Sequence, residues 1–97
     1  MENMFYEASS FNQPLDSWDV SNVRDMTSMF EKATAFNQPI WKWNVYNVEY
    51  MDYKFKEATS FNQPLNSWNL SFFDNDVANM FDGAISFNKL RYILAKD

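Results

Sequence analysis

The feature that most constrains this chain is a tetrapeptide, Phe-Asn-Gln-Pro, that recurs at a fixed interval. Its three copies begin at Phe11, Phe36 and Phe61, 25 residues apart each time, and a weaker copy begins at Phe87 after one additional residue. A fixed period of this length is typical of repeat proteins, in which each unit buries its apolar side against its neighbours. We therefore predict a single domain of stacked units.

Superposition of the copies shows that the large apolar residues recur at the same positions of every unit. These columns are Leu15, Ile40 and Leu65; Trp18, Trp43 and Trp68; Val20, Val45 and Leu70; Val23 and Val48; Met26 and Met51; Phe5, Phe30, Phe55 and Phe81; and Ala8, Ala33, Ala58 and Ala84. Aromatic residues make up 20% of the chain and fall largely in these columns, so we predict that they fill the core. Lys54 stands in the column of Met29 and Met80. At Lys54, therefore, either the apolar side of the unit is predicted to be rotated or this column is predicted to be only half buried.

Two different periods within each unit predict two kinds of element. Trp18 and Val20 alternate with polar residues, which favours a short strand with one buried side. Val23, Met26, Phe30 and Ala33 are spaced 3, 4 and 3 residues apart, which is typical of an amphipathic helix. The fold class expected from these periods is an α/β repeat of short parallel strands backed by short helices.

The unit boundaries follow from the copies of the tetrapeptide. Residues 1–10 form a partial N-terminal unit, residues 11–35, 36–60 and 61–86 form full repeats, and residues 87–97 form a C-terminal partial unit or cap, about three and a half repeats in one domain. Leu90, Ile93 and Leu94 are predicted to cover the last unit.

Composition excludes several functional classes. The chain has no cysteine and no histidine, which removes thiolate nucleophiles, imidazole bases and the usual zinc ligands, and its only glycine rules out a glycine-rich phosphate loop. A net charge of −5 disfavours nucleic acid as a partner. No stretch is long and apolar enough to cross a bilayer, and the first ten residues do not have the pattern of a signal peptide. We predict a protein that is not an enzyme and has no cofactor or metal.

Three smaller features each have a structural and a functional interpretation. Asn12, Asn37, Asn62 and Asn88 form a column that either bonds backbone groups at successive turns, the interpretation we favour, or forms a row of ligand-binding amides. Asp74, Asp76 and Asp82 form either a solvated acidic loop or, less in keeping with their spacing, a calcium site. The triplet that begins at Asn69 is a glycosylation acceptor or simply a strand segment.

A binding surface is the strongest functional candidate. Side chains that alternate with the apolar columns are predicted to face outward on the strand side, and the middle unit has the richest set of them. The candidate binding residues are Trp41, Lys42, Asn44, Tyr46, Asp19 and Asn69. The alternative is that they are ordinary solvated side chains.

The complete pattern resembles a known repeat. Phe11-Asn12-Gln13-Pro14-Leu15, then Trp18, then Val20-Ser21-Asn22-Val23, followed by Met29-Phe30 and Ala33, is similar to the BspA-like or DUF285 repeat of bacterial surface proteins. This resemblance implies a right-handed solenoid of the leucine-rich-repeat type, in proteins of the cell surface with adhesion-type functions. It does not by itself fix the compartment of this chain.

Two functions follow as hypotheses. The first is an interaction module that presents its strand face to a protein or a glycan. The second is a structural spacer in a longer repeat array, without a ligand of its own. In either case, uncapped end units favour self-association.

Overall fold

The backbone of each unit consists of consecutive β-turns. The computed structural model describes residues 1–65, 67–68 and 77–87. Regular secondary structure in this part of the chain comprises the helix α1 (Val77–Met80) and an isolated parallel bridge between Asp25 and Tyr50. The predicted α/β solenoid of leucine-rich-repeat type, with strands backed by helices, is therefore wrong.

The segment predicted as a helix, from Val23 to Ala33, forms a series of turns instead. The Met29 N–H donates to the Met26 carbonyl at 3.2 Å, and the Ala33 N–H donates to the Phe30 carbonyl at 3.0 Å. The third residue of each turn has a positive φ, 57° at Ser28 and 61° at Lys32. An L-residue in this left-handed region ends a right-handed helix. The apolar spacing that suggested a helix is produced by successive four-residue turns whose first and last residues point inward.

The predicted strand around Trp18 is also replaced by turns. The Trp18 N–H donates to the Leu15 carbonyl, and the Val23 N–H donates to the Val20 carbonyl, both at 3.0 Å. The central residues of these turns are Asp16 and Ser17, then Ser21 and Asn22, and all but the half-buried Ser21 are exposed. An alternating pattern of apolar and polar residues was therefore a poor guide to a strand in this chain.

Backbone groups that the turns leave unused bond to the next unit. Ser28, Phe30 and Lys32 donate their N–H groups to the carbonyls of Asp52, Lys54 and Lys56 at 2.8–2.9 Å. Asn3, Phe5 and Glu7 repeat this pattern one unit earlier, with Thr27, Met29 and Glu31 as acceptors. The units consequently stack in parallel. Along this edge the N–H groups donate toward the C-terminal neighbour, whereas Glu49 and Tyr50 donate back to the Arg24 carbonyl of the preceding unit.

Two columns of phenylalanine rings form the centre of the stack. In the first column Phe5, Phe30, Phe55 and Phe81 follow one another at centroid distances of 5.4, 5.6 and 5.5 Å. In the second, Phe11, Phe36, Phe61 and Phe87 are 5.9, 6.0 and 5.8 Å apart. Rings of equivalent units stack nearly parallel, which buries a large apolar area with favourable ring geometry.

The predicted apolar columns form the core of the described units. Met26, Met51, Phe30, Phe55, Ala33 and Ala58 are fully buried. Trp43 and Trp68 are 4% and 3% exposed and stack on each other, whereas Trp18 of the first unit is 38% exposed. Val23 and Val45 are half-buried. Leu70 and the predicted C-terminal cover, Leu90 to Leu94, lie outside the described residues.

Within the described ranges, no helix is long and apolar enough to cross a membrane.

Candidate functional site

Two turns of the middle unit present large aromatic side chains to solvent. Trp41 and Lys42 are the central residues of a turn closed by the Trp43 N–H, which donates to the Ile40 carbonyl at 3.1 Å. Tyr46 is a central residue of the next turn, closed between Val45 and Val48 at 3.1 Å. Trp41 is 47% exposed and Tyr46 is 86% exposed. The predicted exposure of these residues is confirmed, although they lie on turns and not on a strand.

Bonds to neighbouring units hold both turns in place. Ser67 of the following unit donates its hydroxyl to the Trp41 carbonyl at 2.9 Å. Asn47, next to Tyr46, donates its Nδ2 to the Ser21 carbonyl of the preceding unit at 2.8 Å. The Lys42 ammonium lies 5.4 Å from the centroid of the Trp41 ring, within the range of a cation–π contact. The exposed aromatics therefore project from a fixed backbone.

Two of the other candidate residues shape the turns from which these aromatics project. The Asn44 Oδ1 accepts the Tyr46 N–H at 3.0 Å. One unit earlier, the Asp19 Oδ1 accepts the Ser21 hydroxyl at 2.6 Å and the Ser21 N–H at 3.0 Å. The Ser21 hydroxyl, followed by its N–H, lowers the pKa of Asp19 because both stabilise the carboxylate. Asn44 and Asp19 are exposed, but each uses an oxygen in its own turn. The remaining candidate, Asn69, lies outside the described residues.

The structure adds two exposed tyrosines that the sequence analysis missed. Tyr50 is 54% exposed and Tyr53 is 41% exposed. The Lys56 ammonium lies 5.3 Å from the centroid of the Tyr53 ring. In the preceding unit the equivalent positions hold Asp25 and Ser28. The available signal was the change of these two columns from small polar residues to tyrosine in the middle unit.

The asparagine column makes the backbone contacts that the sequence predicted. The Asn12 Oδ1 accepts the Asn37 N–H at 2.8 Å, and the Asn37 Oδ1 accepts the Asn62 N–H at 2.9 Å. Gln38 and Gln63 reinforce each step by donating Nε2 to the carbonyl and side-chain oxygens of the preceding asparagine. The structural interpretation is confirmed for these units. Asn88 lies beyond the described residues.

Lys54 is a charged residue type buried in the core. Its side chain has 0% exposure, and its Nζ lies 2.9 Å from the Met26 Sδ. The rings of Trp68, Trp43, Phe55 and Phe30 surround the Nζ at centroid distances of 4.5, 5.2, 5.4 and 5.9 Å. Burial lowers the pKa of this amine well below its usual value, because the ammonium loses its hydration. The prediction that the column is only half buried at this position is wrong.

The described part of the chain shows no group of three acidic, histidine or cysteine residues placed to hold a metal ion. Of the three aspartates weighed as a calcium site, Asp82 is exposed, and Asp74 and Asp76 fall outside the described residues.

Comparison with known families identifies the family of this chain. The model of the family described as "Mycoplasma protein of unknown function, DUF285" matches residues 1–92. No match was found among curated proteins, and none among solved structures.

Proposed function

The chain belongs to the DUF285 family, and we propose that it is a non-enzymatic binding module that holds a protein ligand through the exposed aromatics of its middle unit. We refer to Trp41, Tyr46, Tyr50 and Tyr53 as the middle-unit aromatics.

The observation that carries this proposal is a comparison between two units with equivalent backbones. Where the middle unit has the middle-unit aromatics, the preceding unit has Asp16, Ser21, Asp25 and Ser28. Both units nevertheless make the same turns, and both donate to the next unit at two equivalent positions: Phe30 to Lys54 and Lys32 to Lys56, then Phe55 to Met80 and Glu57 to Asp82. The large rings are therefore not required for stacking, and their exposure, from 41% to 86%, leaves them available for contact.

The physical properties of the middle-unit aromatics favour a protein as the ligand. Trp and Tyr provide a large amphipathic contact area with few rotatable bonds, and they are enriched at the energetic centres of protein interfaces. Short turns held by bonds to neighbouring units lose little further entropy on binding. Lys42, next to Trp41, adds a cation that can pair with a carboxylate on the partner.

The test uses a random peptide-display library selected on the 97-residue chain. We expect selected peptides to bind the wild type and to lose most of their affinity for Trp41→Ala and for Tyr46→Ala, by about tenfold or more for each. Tyr6→Ala is the matched control. Tyr6 is 42% exposed, lies in the partial N-terminal unit and also has a lysine ammonium near its ring, 5.9 Å from the centroid.

The outcome also separates the alternatives. Peptides that bind all three variants equally well, or a selection that yields no binder, would favour the structural spacer. That second function is supported by the repeated bonds between units, which would extend a longer array in the same way. A glycan array probed with the same variants identifies a carbohydrate ligand if binding there depends on Trp41 and Tyr46 while peptides fail.

A further inference from the structure

The side chain of Lys54 lies where three consecutive units meet. Its Nζ is 2.9 Å from the Met26 Sδ of the preceding unit and 4.5 Å from the ring centroid of Trp68 in the third unit, residues 61–86. The Trp43 ring of its own unit lies at 5.2 Å. Because Trp43 and Trp68 stack on each other, the amine lies against the aromatic contact that joins the middle and third units.

No counter-ion is available for a proton on this amine. Dehydration lowers the pKa of Lys54, and no titratable group in the described part of the chain faces the amine closely enough to change that pKa. The titratable side chains on the segments that surround it are all half-buried or exposed: Asp25, Glu31, Lys32, Lys42, Asp52, Tyr53, Lys56 and Asp82. A charged Lys54 inside the closed stack therefore has only ring faces and a thioether around it among the described residues, and it is strongly disfavoured.

The stack is held by fewer backbone bonds on the C-terminal side of Lys54 than on its N-terminal side. On the N-terminal side, the Ser28 N–H donates to the Asp52 carbonyl at 2.9 Å. The equivalent N–H on the C-terminal side, that of Tyr53, donates to no acceptor in the part of the chain that the structure describes. The equivalent acceptor position, Ala78, lies in α1. The interface between the middle and third units is therefore the weaker of the two beside Lys54.

This interface also fixes the turn that carries Trp41. The Ser67 hydroxyl donates to the Trp41 carbonyl at 2.9 Å, and Ser67 directly precedes Trp68 in the chain. The same turn is closed by the Trp43 N–H. Separation of Trp43 from Trp68 consequently moves Ser67 away from its acceptor and frees the turn of Trp41.

We propose that proton uptake by Lys54 opens the interface between the middle and third units, and that this opening releases the turn of Trp41. A stack of repeats can open at one interface while the others stay closed, because each unit contacts only its neighbours. In the open state the amine reaches water and carries its charge. The opening itself does not depend on the binding function proposed above, whereas its effect on a ligand rests on that function.

The direction and size of the pH effect follow from proton binding in the open and closed states. Lys54 has its usual pKa of about 10.4 when it is open to water. In the closed state, dehydration lowers its pKa well below that value. Between the two pKa values only the open state binds the proton, so the open fraction rises about tenfold for each pH unit of acidification. Below the closed-state pKa the open fraction rises no further.

The test is amide hydrogen exchange, measured by NMR on the 97-residue chain between about pH 5 and about pH 8. Two equivalent amides report on the two interfaces. The Phe30 N–H donates to the Lys54 carbonyl at 2.8 Å across the interface that stays closed, and the Phe55 N–H donates to the Met80 carbonyl at 2.9 Å across the one that opens. The protection factor is the exchange rate of an unstructured peptide divided by the measured rate. We expect that of Phe55 to be lower than that of Phe30 and to fall about tenfold per pH unit.

Two variants show whether Lys54 causes the pH effect. Lys54→Met is expected to remove the pH dependence of Phe55 protection, because the open state then has no amine to protonate. Lys56→Met, which replaces a half-buried lysine of the same unit, is the matched control and should behave as the wild type. Equal protection of Phe30 and Phe55 at acidic pH would overturn the proposal, since both amides would then exchange only by complete unfolding. So would a Lys54→Met variant whose Phe55 amide keeps the wild-type pH dependence.

The effect on a ligand is measured with the peptides selected for the proposed function. A peptide that binds the wild type at about pH 8 should bind it at least about tenfold more weakly at about pH 5.5, whereas Lys54→Met should keep its affinity. Equal weakening in both proteins would show that the opening does not control the turn of Trp41. A selection without any binder would count against the proposed function, and amide exchange would still decide whether the interface opens.

Discussion

Replacement of Lys54 by methionine is expected to stabilise the fold, with an effect that grows as the pH is lowered. Lys54 is fully buried, and the equivalent positions of other units hold Met29 and Met80, which are also fully buried. Methionine therefore fits this column, and the side chains of lysine and methionine have similar length and volume. Lys54→Met removes the amine and keeps the apolar packing.

The direction of the pH effect on stability follows from proton binding by Lys54 in the folded and unfolded states. Burial lowers the pKa of Lys54 in the folded chain, whereas in the unfolded chain the lysine has its usual pKa of about 10.4. Above that value both states are neutral, and the amine does not affect stability through protonation. As the pH falls below it, only the unfolded state takes up the proton, so the wild type loses about 1.4 kcal/mol per pH unit until the folded pKa is reached. Below the folded pKa the loss stays constant.

The surrounding rings reduce this effect without reversing it. A desolvated cation–π contact contributes up to about 2 kcal/mol, and the rings of Trp68 and Trp43 lie closest to the Nζ, at 4.5 and 5.2 Å. Dehydration of an ammonium in an apolar interior costs several kcal/mol even after the surroundings relax, and burial accordingly lowers the pKa of Lys54. At neutral pH we therefore expect Lys54→Met to gain about 2 kcal/mol or more in free energy of unfolding.

The assay is urea denaturation of the wild type and Lys54→Met, at a series of values from about pH 6 to about pH 10. Lys56→Met is the matched control, because Lys56 is a partly exposed lysine of the same unit. A Lys54→Met gain that does not change with pH would refute the reasoning. A loss of stability in Lys54→Met would show that the rings hold a charged ammonium.

Three further changes test the stack. Trp43→Ala is expected to lower the free energy of unfolding by about 3–5 kcal/mol, because it removes a buried ring. Urea denaturation should show a smaller loss for Trp18→Ala, since Trp18 is more exposed. A loss below about 1 kcal/mol for Trp43→Ala would contradict the place of Trp43 in the core. Asn37→Ala should cost about 1 kcal/mol by the same assay, since it removes acceptors used by the next unit; an unchanged stability would mean that water replaces the side chain at no cost. Ser21→Ala should raise the pKa of Asp19, measured by NMR titration of the carboxyl carbon, because it removes the hydroxyl that bonds the carboxylate; an unchanged titration would contradict the hydrogen bond.

The sequence predicted the repeat, the apolar columns and the contacts of the asparagine column, because these depend on which side chains recur. Phe30 and Phe55 recur at one period, so they had to meet in the stack, and they lie 5.6 Å apart. The asparagines recur next to proline, where an amide readily bonds backbone groups.

The backbone was harder to predict because the apolar spacing fits two conformations. Inward residues three and four positions apart suit a helix, and they equally suit successive turns closed between the first and fourth residues. What separates the two is the left-handed conformation of Ser28, Lys32, Tyr53 and Glu57. In the column of Glu7, Lys32, Glu57 and Gly83, only the glycine adopts the left-handed conformation without strain. The residue types in this column therefore gave little indication of a left-handed backbone.

These left-handed positions also explain why the exposed side chains vary so widely. Glu7, Lys32, Glu57 and Gly83 occupy one column and share a positive φ, yet they have different charges and sizes. Inter-unit bonds at these positions are made by the backbone, for example between the Lys32 N–H and the Lys56 carbonyl at 2.8 Å. The stack therefore constrains inward side chains and asparagines closely and outward ones hardly at all. Selection for a ligand can act on Trp41 and Tyr46 without a cost to stacking, and this separation is what makes the middle unit informative about function.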